Sequence, residues 1–126
     1  MIAKILERCD TIEECYEFML GYAAQGLPGD AGSPRVREFL RRAADAVRGL
    51  RHEPLEHDSA LAPFLEVLRR DAADSLAALE LVLAQPVISS QLIDNLNASI
   101  HLRALLTDLF LLSEVLRNQP VAENSI

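Results

Sequence analysis

Tryptophan is missing from this chain, lysine occurs once, at Lys4, and cysteine twice, at Cys9 and Cys15. Two thiols make no disulfide framework. Six residues apart on one helix, they point roughly 120° apart, too far round to bridge each other. No apolar run reaches the ~18 residues of a membrane-spanning helix. Residues 1–6 are too short for the apolar core of a secretory signal, and acidic residues follow at once. These absences predict a reduced, cytoplasmic protein that does not engage a membrane. Runs of β-branched residues are very few, which leaves no signal for strands. Gly-rich phosphate loops, Glu-x-x-His pairs and basic stretches interleaved with aromatics are also absent. The sequence therefore gives no support to an enzyme, assigns no catalytic residue and implies no cofactor.

What remains is a helix former's composition. Leucine and alanine dominate, apolar residues make up 50% of the 126 positions and charged residues 25%. The length suits one domain. The net charge is −7 and the isoelectric point about 4.9, a field that repels phosphate and argues against nucleic acid. Charge is unevenly spread. Glu7, Asp10, Glu13, Glu14 and Glu17 crowd the first segment, while Arg35, Arg37, Arg41, Arg42, Arg48 and Arg51 crowd the second. Such helices can pair within a bundle or between subunits. The preference for arginine over lysine suggests a GC-rich bacterial gene.

Periodicity supplies the elements. Ile2, Ile5, Cys9, Ile12, Tyr16, Met19 and Ala23 alternate at spacings of three and four, the beat of a helix packed lengthwise on another. One continuous helix is predicted from Ile2 to Gln25, crossing a possible capping box at Thr11 and Glu14. Gly26 to Gly32 is a loop. Helix two starts at Ser33, an N-cap with Pro34 behind it, and ends near Leu50 or Arg51. Helix three starts near Ser59, carries Pro63 in its first turn and is ended by Pro86. Helix four is capped by Ser89 or Ser90 and runs unbroken to about Arg117. The prediction is an all-α, antiparallel up-down-up-down four-helix bundle, with residues 1–118 as a single domain and 119–126 as a flexible C-terminal tail. Its expected core includes Ile5, Cys9, Ile12, Tyr16, Met19, Phe39, Leu68, Leu96 and Ile100. Cys9 is expected to be buried, and Cys15, on the flank of the seam, to react faster with thiol reagents.

Chemistry-bearing residues are few. Asp94, Asn97, His101 and Asp108 fall on one polar stripe of the predicted fourth helix and are the candidates for a metal or ligand site, although no metal set is assigned. Glu7, Asp10, Glu14 and Glu17 form an acidic face on helix one. His52, Glu53, Glu56, His57 and Asp58 cluster in a loop, but the histidines are five apart with Pro54 between them, unlike the helical pair of zinc proteases. Histidine phosphotransfer bundles follow their reactive histidine with Lys-Gly; here Leu102-Arg103 follows His101, and the likeness ends at the outline.

Apolar residues are in surplus. Those of helix four and the back half of helix three wrap further round than the stripe of a little over 100° that one bundle face needs. A homodimer is expected to cover them, with Leu76, Leu83, Leu106, Phe110, Leu111 and Val115 at the seam. An unidentified protein partner is the alternative cover. The function expected is a non-enzymatic protein-interaction module (an adaptor, regulator or assembly factor). A ligand- or metal-binding bundle is the second reading.

Overall fold

A computed structural model describes residues 2–29, 33–52 and 60–118. Five helices make up the fold: α1 (Ile2–Ala24), α2 (Ser33–His52), α3 (Ala62–Leu83), α4 (Ser90–Ala98) and α5 (His101–Arg117). No strand occurs among the described residues. The all-α expectation holds, but the expected fourth helix is two helices. The expected start of helix three at Ser59, the loop residues 53–59 and the tail 119–126 lie outside the described residues.

Residue pairings give the directions. From α1 to α2, Arg8 lies against Gly49, Glu14 bonds Arg42 at 2.8 Å, and Phe18 stacks on Phe39. The order reverses, so the two helices are antiparallel. A Cβ at Gly49 would lie 2.0 Å from the Arg8 guanidinium, the flexible end of that side chain, which would have to swing aside. Between α2 and α3, Arg37 donates to the carbonyls of Leu83 and Gln85, groups that the end of α3 leaves unpaired. Along the far side of α1, Arg117 acts on Cys9, and Asn97 donates to the Met19 carbonyl at 3.4 Å. The α4–α5 arm therefore runs opposite to α1.

Helix α1 is continuous, as expected. The Thr11 hydroxyl donates to the Glu7 carbonyl one turn back, so it caps nothing. The buried arc of α1 is wider than the predicted seam, because α1 packs against α2 on one side and α4 and α5 on the other. Cys15 and Tyr22 are consequently buried, whereas Tyr16 is only partly so; Phe39 on α2 is likewise only partly buried. The expected contrast between the thiols fails: Cys15 has no exposure and Cys9 almost none. Burial pushes both thiols up to about 11, which suppresses the reactive thiolate at each.

The break between α4 and α5 follows from apolar phase. Ser90, Ile93 and Leu96 are buried on α4, and Leu102, Leu105, Leu109 and Leu112 on α5. At 3.6 residues per turn these two sets point roughly 140° apart. An unbroken helix would turn one of them to solvent. The chain instead leaves the helix at Ser99 and passes through Ile100 in the left-handed region, φ 63°. A β-branched residue pays about 1–3 kcal/mol for that conformation, less than the burial of Ile93 and Leu96 returns at roughly 1.5–3 kcal/mol each. Ile100, expected in the core, is 56% exposed as a result.

Two adjacent serines divide the work at the start of α4. Ser89 is the N-cap and accepts from the Leu92 N–H. Buried Ser90 ties α4 to the end of α1: its hydroxyl donates to the Tyr22 carbonyl at 2.6 Å and accepts from the Leu27 N–H at 2.8 Å. The Ser90 N–H also donates to the Leu27 carbonyl, and the Tyr22 hydroxyl donates to the Ile88 carbonyl.

Candidate functional site

The polar stripe predicted on one helix is divided by the break. Asp94 is exposed on α4, beside a shallow cavity of about 370 Å³ formed with the turn after α1. Asn97 is half-buried; its amide nitrogen reaches Met19, while its oxygen is buried without a donor. His101 is exposed at the first residue of α5. Asp108 lies nearly two turns further along. The four do not converge, and no three His, Cys, Asp or Glu side chains group to hold a metal ion among the described residues.

Asp108 instead meets Asp71 across the α3–α5 seam. Two carboxyls bond only when one keeps its proton, and Oδ2 of Asp108 is buried with no N–H or hydroxyl donor beside it to support a charge. Burial, then the hydrogen bond with Asp71 and its like charge, push the Asp108 carboxyl up to about 7. The folded state therefore holds this proton more tightly than the unfolded chain. Its support is complete at and below about pH 4 and is lost as pH rises through about 7. Asp108→Asn supplies a permanent donor to Asp71. At pH 8 this variant should be more stable than the parent by roughly 1–2 kcal/mol, a figure reduced because solvent reaches the pair. Urea titrations at pH 8, 6 and 4 should show the advantage shrinking with pH; an advantage independent of pH would remove the shared proton from the account.

The acidic face of α1 is dispersed. Glu14 is committed to Arg42, an exposed pair worth little in stability. Glu7 and Arg42 border one shallow groove between α1 and α2, and Asp10 and Glu13 border another beside Glu114 and Arg117 of α5. The α1–α2 seam carries a cluster that periodicity did not reveal. Phe18 and Phe39 stack with centroids 4.0 Å apart, and Arg35 and Arg42 lie over the Phe39 ring at 5.9 and 5.2 Å, a cation–π arrangement. The loop cluster of Glu53, Glu56, His57 and Asp58 lies outside the described residues, and His52 ends α2.

The apolar surplus is smaller than expected and differently placed. Leu76 and Leu106 belong to the core at 5% and 4% exposure, and Leu83 is half-buried. They are filled by neighbouring helices because α3 touches α2, α4 and α5, and so buries more than one face. Leu81 is well exposed, but it lies with Val87 at the corner where α3 passes to α4, away from the end of α5. The remaining exposed large residues of α5 are Phe110, Leu111 and Val115. On α3, Val67 in the front half is also exposed, one turn before Asp71 as Leu111 is one turn after Asp108. No family model, curated protein or solved structure matches the chain.

Proposed function

We propose that this chain is a non-enzymatic protein-interaction module, an adaptor, regulator or assembly factor that acts as a homodimer. In this reading α4 and α5 together form the fourth arm of an antiparallel up-down-up-down bundle. The observation that carries the proposal is the exposure of Phe110, Leu111 and Val115 on α5, and of Val67 on α3, the helix packed against it. Leu111 and Val115 share one flank of α5 and Phe110 lies roughly 100° or more round from them, so the exposed apolar arc is wide, and wide apolar surfaces mark association sites. A two-fold copy is the commonest cover for such a face. Buried, unbridged thiols fit a reducing, cytoplasmic setting. No helix of the described residues is long and apolar enough to cross a membrane.

Sedimentation equilibrium at micromolar concentration tests the reading. A dimer is expected, and Leu111→Glu should convert it to a folded monomer, because a charge at a covered apolar position is desolvated without a partner. A monomer for the parent protein rejects the proposal. Retention of both mass and stability by Leu111→Glu places the contact elsewhere.

A further inference from the structure

The outer side of α5 carries a second pattern, in charge. Arg103, Thr107, Phe110 and Glu114 are all exposed and recur at spacings of four, three and four, so they form one straight stripe along the helix. Phe110 is 46% exposed. The stripe is basic at one end and acidic at the other. Glu114 reaches Arg117 at 4.0 Å, an exposed contact, and Asp10 and Glu13 of α1 border the same cleft, which keeps that end acidic. Arg103 makes no ion pair among those between described residues.

Read in reverse, the stripe matches itself. Its midpoint falls between Asp108 and Leu109, with Arg103 and Glu114 equidistant from it and roughly 16 Å apart. An antiparallel copy laid on this face sets Arg103 against the partner's Glu114, and Thr107 against the partner's Phe110. Two-fold symmetry then repeats both contacts, the self-complementarity that an isologous interface requires. The same flank of each copy also comes together, so Leu111 of both protomers closes one side of the contact.

We infer that a second copy of this chain docks antiparallel on the outer stripe of α5, its register set by two reciprocal pairs between Arg103 and the partner's Glu114. This rests on the dimer reading above and adds orientation and register to it. A parallel pairing would place Arg103 against the partner's Arg103, and charges of one sign facing each other oppose association.

Charge reversal tests it. Arg103→Glu and Glu114→Arg each change two attractive pairs into two repulsive ones, and each should weaken self-association about tenfold or more. Mixing the two variants should restore association as a heterodimer, because the acidic stripe of one then meets the basic stripe of the other. The double variant, Arg103→Glu with Glu114→Arg, should dimerise with itself near the parent's strength. Sedimentation velocity of the single variants, their equimolar mixture and the double variant reads all three. A parent dimer that both single reversals leave unchanged overturns this inference alone. Weakened single variants that fail to associate when mixed overturn it as well. A monomeric parent overturns both this inference and the dimer on which it rests.

Discussion

Leu68→Ala lowers the free energy of unfolding by roughly 2–5 kcal/mol. Leu68 sits on the inner face of α3, one turn from Leu65 and from Ala72, and is 1% exposed. Truncation removes three buried carbons, one methine and two methyl groups, and leaves a cavity that the surroundings close only in part. Collapse is limited because the walls are helix backbones, held in position by their other side chains. A domain of this size has a total stability of ~5–15 kcal/mol, so the loss is a large share of the whole. Urea denaturation followed by circular dichroism measures it. A loss below about 0.5 kcal/mol would mean that α3 turns a different face inward.

Ser90→Ala costs roughly 2–3 kcal/mol although it removes one oxygen. The hydroxyl is buried and bonded twice, to the Tyr22 carbonyl and from the Leu27 N–H. Alanine leaves the part-buried Leu27 N–H without its partner, at a desolvation cost of about 1–3 kcal/mol, and leaves the Tyr22 carbonyl with only its longer bond from the Gln25 N–H. Ser89→Ala is the matched control. It removes an N-cap at a half-exposed position, where water substitutes, and should cost about 1 kcal/mol. Equal losses for the two variants, measured by urea titration, would show that Ser90 does no more than cap.

The difference between these serines marks the limit of what could be read from residues alone. The pattern Ser-Ser before an apolar run announces a helix start, and that start is correct. Which serine caps and which turns inward depends on where the end of α1 lies, more than sixty positions earlier. Asp71 and Asp108 illustrate the same limit: each looks like an ordinary polar position on its own helix, and only the packing of α3 against α5 makes them one group. The helix content, by contrast, was legible, because the three-and-four beat and the Gly/Pro breaks are local signals. The break at Ile100 is legible in the phase of the apolar residues. Counting from Ile93 and Leu96, the next inward positions at helical spacing are Ile100 and Arg103, whereas the leucine beat starts at Leu102. That slip of phase is the mark of a joint. The width of the buried arc on α1 is not legible in its own residues, since it reflects how many neighbours surround the helix, and Cys15 is buried for that reason.

A helix transmits a change in its length as a rotation. One residue added within α5 would turn every later side chain by roughly 100°, and Leu109 and Leu112 would leave the core. At Ser99 and Ile100 the helical repeat is already interrupted, so an added or lost residue is taken up by the turn and no rotation passes on. The left-handed residue thus frees the lengths of α4 and α5 from one another. A residue gained or lost at this joint would leave the stripe that starts at Arg103 with its spacing intact.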